Sequence, residues 1–301
     1  LPVAVFKINF VRSAIMAAHD SPLSFTPSTP AADLAERAAR RRRQGRHALI
    51  IGLRLLVLVV WLGGWELCGR MNWVDPFFFS MPSLIFDQIV DWFQNGTSQG
   101  PLLVQVWVTL EETVLGFLIG AVGGVFFGVL LGRNKLLSDV FSVYIKVANS
   151  IPRVVLGSVF VIALGLGMAS KVALAVVMVF FVVFGNAFQG VREADRYMIA
   201  NAQILGASRR QLTTAVVIPS ALSWILASLH VSFGFALVGA VVGEFLGSKQ
   251  GIGLLISTAQ GAFNSSGVFA AMIVLAVVAL GTDYLITALE RRLLKWRPAA
   301  V

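Results

Sequence analysis

The sequence predicts an all-α, polytopic membrane protein with six transmembrane helices, and three observations predict it. Hydrophobic residues make up 57% of the 301 residues and charged residues only 13%, about half the charged share of an ordinary soluble domain. The mean hydropathy is +0.82. The apolar residues come in blocks of about twenty, the length that crosses ~30 Å of hydrocarbon as a helix. Lipid offers the backbone no hydrogen-bond partners, so each block must satisfy its own amides, which a helix does. The ~10-residue alternating segments of a membrane β-barrel are not seen.

Residues 1–46 differ from the rest. Ser21-Pro22 and Ser28-Thr29-Pro30 are followed by Arg37, Arg40, Arg41, Arg42, Arg43 and Arg46, a polar, charged composition that reads as a flexible cytoplasmic tail. No small-residue cleavage site follows the next apolar run, so the segment does not read as a secretory signal. Residues 47–301 form the membrane domain, with spans expected at about 48–68, 108–132, 152–168, 171–190, 223–245 and 268–289. Pro152 opens the third span, where its missing N–H costs no hydrogen bond. Between the first two spans, Leu84, Ile85, Ile89, Trp92 and Phe93 give Ser83–Phe93 the pattern of a short amphipathic helix at the membrane surface.

Lys and Arg set the orientation. With the N-terminus inside, twenty of the twenty-four basic residues are cytoplasmic: eight in the tail and four each in 133–153, 191–222 and the C-terminus. Arg70, Lys171 and Lys249 fall outside, and Arg54 lies within the first span. Both termini are therefore expected in the cytoplasm. The net charge of +9 flanks the spans, which argues against nucleic acid as a partner. One cysteine, Cys68, and three scattered histidines suggest no metal site, and no nucleophile, base and orienting group suggest catalysis. Nor is there a Gly-x-x-x-x-Gly-Lys-Ser/Thr loop to cradle ATP phosphates.

The second span carries Gly116, Gly120, Gly124, Gly128 and Gly132. Four-residue spacing puts them on one helix face, which a neighbouring helix can approach to backbone contact. Gly239, Gly243 and Gly247 repeat the device in the fifth span. Glu66, Glu111 and Glu112 are expected near the outer interface, hydrated, and no chain of acidic groups crosses the membrane. Arg54 and Asp283 sit at matching depth, ~10 Å from the inner interface at ~1.5 Å per residue, and pairing them would relieve two costly intramembrane charges.

Loop 191–222 is long for a membrane connection. It contains Ala200-Asn201-Ala202, then Gly206-Ala207-Ser208, and closes at Val216-Val217-Ile218-Pro219. This resembles the EAA motif of ABC importer permeases: Glu-Ala-Ala, three residues, Gly, nine residues, then Ile-x-Leu-Pro. Ala202, Gly206, Val216, Ile218 and Pro219 are in register, while Ala200 stands where the motif has Glu and Asn201 where it has its first Ala. Met198, Ala202, Leu205 and Leu212 form an apolar stripe with Arg209 and Arg210 turned away, and Gly206 permits a bend between two short helices. Met81-Pro82-Ser83, Asn149-Ser150-Ile151-Pro152, Glu244-Phe245-Leu246-Gly247 with Gly251-Ile252-Gly253, and Leu289-Glu290-Arg291-Arg292 extend the resemblance over roughly 75–298, to the nitrate/sulfonate/taurine-type permeases.

That resemblance implies a type I ABC importer permease fold and a non-catalytic subunit of the bacterial inner membrane. It implies as partners a cytoplasmic ATPase dimer that binds the ATP, an extracytoplasmic solute-binding protein, a second permease copy and membrane lipid. No cofactor is expected on this chain. Ala200, Ala202, Leu205, Gly206, Ala207, Ser208, Arg209, Leu212 and Pro219 would contact the ATPase, and Pro152, Gly243 and Glu244 would lie on the translocation path. The expected cargo is a small solute such as a sulfonate, nitrate or taurine. A stand-alone ion-coupled transporter is the alternative; inverted repeats with interrupted helices would mark it, and no internal repeat is evident.

Overall fold

The structure is a computed structural model that describes residues 30–192, 196–212, 214 and 218–293. All regular elements among the described residues are helical. The chain divides into two compact units, 1–64 and 65–301.

Helix α1 runs Pro30–Arg70. Its first turns are rich in Ala, Arg and Glu, all good helix formers. From Pro30 onward a helix thus replaces the flexible tail expected over 1–46; residues 1–29 lie outside the described residues. The apolar stretch Ala48–Arg70 is long enough to cross a membrane, and its Leu53, Leu55, Leu56, Val57 and Val59 are exposed, as lipid-facing side chains would be.

In the second unit, α2 (Pro76–Phe79) and α3 (Pro82–Gln94) lead into α4 (Leu102–Arg133). Then come α5 (Lys135–Ser150), a 3-10 turn (Arg153–Val155), α6 (Leu156–Leu164) and α7 (Met168–Arg192). Two short helices, α8 (Arg196–Ile204) and α9 (Arg209–Leu212), precede α10 (Ile218–Leu246), α11 (Ile252–Gly261) and α12 (Ser265–Leu293). Among the described residues five helices are long and apolar enough to span, and α5 with α6 makes a sixth, bent by 74°.

That bent pair corrects the expected third span. With nine residues, α6 reaches only ~13 Å at ~1.5 Å per residue, too short to cross alone. Residues 133–153 are no loop: the Asn134 side chain accepts from the Leu136 and Leu137 amides and starts a full helix. The break follows from Pro152, which has no N–H for the Ala148 carbonyl and disfavours helix in the residue before it. Ile151 is accordingly extended, at φ −76° and ψ 125°.

The packed centre is α4, α7 and α10. A methyl group on Gly120 would lie 2.8 Å from the Val176 carbonyl oxygen, on Gly124 2.9 Å from that of Phe180, and on Gly128 2.8 Å from that of Phe184. Gly116 and Gly132 meet Ala175 and Val191 of the same helix. The glycine face of α4 is therefore where α7 approaches to backbone contact. Gly239 and Gly243 of α10 meet the other side of α7, at Ala175 and Lys171, so that Ala175 is held between Gly116 and Gly239.

Helix α3 is docked on protein rather than simply lying on the bilayer. Ile85 and Trp92 join Leu102, Ile252, Leu255, Ala270 and Ala271 in one core, leaving Leu84, Phe86 and Phe93 exposed. Its start is capped from α1: the Glu66 carboxylate accepts from the Ser83 amide at 3.1 Å and hydroxyl at 2.9 Å, and from Arg70 Nε at 2.7 Å. Pro82 at the first helical position needs no such partner.

Candidate coupling arm and translocation path

The connection from α7 to α10 is an arm built on two local signals. Helix α8 ends in a Schellman turn, with the Ala207 amide donating to the Ala202 carbonyl and the Gly206 amide to that of Gln203. Gly206 sits at φ +82°, in the left-handed region glycine adopts without penalty. Helix α9 opens with a capping box: Ser208 Oγ accepts from the Gln211 amide, and Gln211 Oε1 from the Ser208 amide, so two amides without helical partners are satisfied reciprocally.

This geometry splits the expected apolar stripe. The helix stops at Ile204, so Leu205 turns outward, 86% exposed beside Ile204 at 83%, whereas Leu212 turns inward at 9%. Ala200, Gly206 and Ser208 are exposed, and Ala202 and Ala207 half-buried. The side chains of Met198, Arg209 and Pro219, and all of Val216, lie outside the described residues.

The translocation-path candidates separate. Pro152 is exposed at the α5–α6 break. Gly243 is packed on the Lys171 backbone, and Glu244 is completely buried. Its carboxylate accepts from Thr109 Oγ1 and from the Gly253 amide, both at 2.7 Å. Thr109 Oγ1 also accepts from the Ile252 amide at 2.9 Å, and Gln105 Oε1 from that of Gly251 at 2.8 Å. The first amides of α11 have no partners within their own helix, and here side chains of α4 and α10 supply them.

Two expectations are corrected at this knot. Glu112, expected to be hydrated, is 2% exposed, and Lys171, expected at the outer end of the fourth span, is 0% exposed. The ammonium of Lys171 instead donates to the Leu166 and Gly167 carbonyls and to Ser170 Oγ. Hydropathy alone puts such groups at an interface; burial requires partners, which Lys171 finds in the turn just before it. Gln105, Thr109 and Lys171 had no sequence signal. Asp283, whose depth suggests Arg54 as a partner, has Oδ1 3.4 Å from Nε2 of His230, while Arg54 belongs to the other unit and is exposed.

Five apolar helices and a bent pair, with an arm that carries bare apolar side chains away from them, make a multi-pass membrane protein. Residues 120–295 match the family described as binding-protein-dependent transport system inner membrane component, and the chain belongs to that family. It is thus a non-catalytic transmembrane component of ABC-transporter type, in the inner membrane. A protein named as an aliphatic sulfonates transport permease, SsuC of Bacillus subtilis, is 30% identical over 87% of this chain and 93% of its own length. The formylaminopyrimidine transport permease ThiX of Halalkalibacterium halodurans is 27% identical over 86% of this chain and 98% of its own. The taurine permease TauC of Escherichia coli is 26% identical over 82% and 89%. Among solved structures, the inward-facing MetNI methionine ABC transporter shares the fold at a TM-score of 0.54 and 20% identity, over 64% of this chain and 94% of that one.

Proposed function

We propose that this chain is the permease subunit of an ABC importer and, with a second copy, forms the path for a small solute delivered by a solute-binding protein. A cytoplasmic ATPase pair binds the ATP and docks on the α8–α9 arm, and both termini share its side of the membrane. The solute is a sulfonate, nitrate, taurine or a similar small organic molecule or anion, in keeping with the cargo that the relatives are named for.

The arm carries this reading. Ile204 and Leu205 are held out, more than four-fifths exposed, on a turn fixed by Gly206 and the Ser208–Gln211 box. Apolar side chains presented on a rigid turn suit a groove on a soluble partner, and their exposure is otherwise unfavourable. Gly206→Asp puts a β-carbon at φ +82°, at about 1–2 kcal/mol, and re-aims both side chains. Reconstituted with ATPase and binding protein, that variant is expected to insert normally but to lose uptake, with hydrolysis no longer tied to transport. Normal assembly and uptake by Gly206→Asp would remove the arm from the mechanism. Uptake by the chain alone, driven by an ion gradient, would favour the stand-alone transporter.

A further inference from the structure

The two halves of the bent span meet near Arg153, a residue that sequence reading counts among the cytoplasmic loop cations. The structure places it elsewhere. Its guanidinium carbon lies 5.0 Å from the centre of the Phe181 ring, and Phe181 is thirteen positions after Met168 and eleven before Arg192, the ends of α7. At ~1.5 Å per residue that is ~20 Å from one end and ~17 Å from the other, close to the middle of a ~30 Å hydrocarbon layer. At that depth the side chain does not reach a headgroup, and an intramembrane charge marks a functional site unless something neutralises it. None of the ion pairs among the described residues includes Arg153. Nη2 donates to Asn149 Oδ1 at 2.5 Å, but Nε is buried with no hydrogen-bond partner among the described residues.

The backbone beside it points the same way. Irregular backbone at membrane depth is tolerated where it is covered by protein or lines a water-filled cavity. Here Ile151, Val154 and Val155 are 46%, 46% and 62% exposed, so this chain's own helices leave the break open. A nearby cleft of about 410 Å³, whose walls include Phe127, Phe141, Phe180 and Phe181, is apolar and supplies no counter-charge.

We propose that Arg153 is an anion-binding residue of the translocation path, its guanidinium steadied by Asn149 and Phe181 and the accessible part of its half-buried side chain offered to the oxyanion of a passing solute. The class is a sulfonate, carboxylate or nitrate, which a planar guanidinium matches in shape and charge. The arginine has no carboxylate of its own to displace, and as a single charged contact it also releases the group, as conduction requires. This rests on the importer reading and narrows its cargo to anions.

The test uses the full permease–ATPase complex in lipid nanodiscs, with Cys68→Ser and a reporter thiol at Val155→Cys. The thiol is labelled with the anionic 2-sulfonatoethyl and the cationic 2-trimethylammonioethyl methanethiosulfonates. The anionic-to-cationic rate ratio is expected to fall on the order of tenfold or more on adding Arg153→Gln, as loss of a nearby unit charge at low dielectric implies. Arg153→Lys retains most of the ratio, and 1-butanesulfonate slows anionic labelling only while the charge is present. Where Arg153→Gln does not assemble, Asn149→Asp, which sets a carboxylate on the guanidinium, is expected to lower the ratio likewise. A thiol inert to both reagents, through lipid or a second subunit covering the break, overturns the proposal, as does a ratio that the substitutions leave unchanged. Uptake is not read here, so failure of the anion site and failure of the importer reading are separable.

Discussion

Glu244 shows how much one buried side chain organises. It accepts from Thr109 and Gly253 at 2.7 Å, and through Thr109 it is tied to Ile252, so one carboxylate joins α4, α10 and the start of α11. Removing a partner from a buried donor costs about 1–3 kcal/mol. Glu244→Ala and Thr109→Val are therefore expected to lower the thermal midpoint and folded yield in detergent, while Glu111→Ala, at an exposed site, leaves both unchanged. Wild-type melting of Glu244→Ala would show that the knot does not hold α11. The sequence does reveal Glu244 as an unusual charge, but not its task. Its partner Thr109 is 135 positions away, and single polar residues inside an apolar run have no periodicity to betray them. The arm is the opposite case: Gly206, Ser208 and Gln211 are neighbours, and their turn and cap chemistry can be read directly.

Among the elements, the glycine spacing of α4 was legible as a packing face, and the helix it would meet was not. Gly120→Leu and Gly124→Leu drive a side chain into the α7 backbone, where a β-carbon alone already lies under 3.0 Å from a carbonyl oxygen; both are expected to abolish folded yield. Gly185→Ala, where an added β-carbon meets nothing within 4 Å, is expected to be neutral, and size-exclusion profiles of the three variants decide. Helix α5 is the instructive miss. Leu137, Phe141, Ile145 and Ala148 recur at helical spacing, but Lys135, Asp139 and Lys146 keep the segment out of any hydropathy window. Reading it as a loop counts Arg153 among the cytoplasmic cations, whereas its guanidinium lies against Phe181, near the middle of α7.

At the scale of the whole molecule, the basic residues make a topological statement that reporter fusions can check. Green fluorescent protein at the C-terminus is expected to fluoresce, and alkaline phosphatase inserted at Lys249, in the bend between α10 and α11, is expected to be active. The inverse pattern would turn the molecule over. Five of the spans were legible from composition because their blocks are long; the bend within the third was not, because proline at a helix start and proline at a helix break look alike in sequence. One further consequence follows from Ala175, held between Gly116 and Gly239. Where helices touch through glycine there is no side chain to slide or re-pack, and these points of backbone contact on both sides of α7 make α4, α7 and α10 resemble a laminated beam mechanically. The arm leaves this beam at one lamina and rejoins it at another, so force on the arm tilts the stack as a unit instead of shearing its layers. Over the ~37 Å of a 25-residue helix at ~1.5 Å per residue, a tilt of ~10° sweeps the far end through ~6 Å.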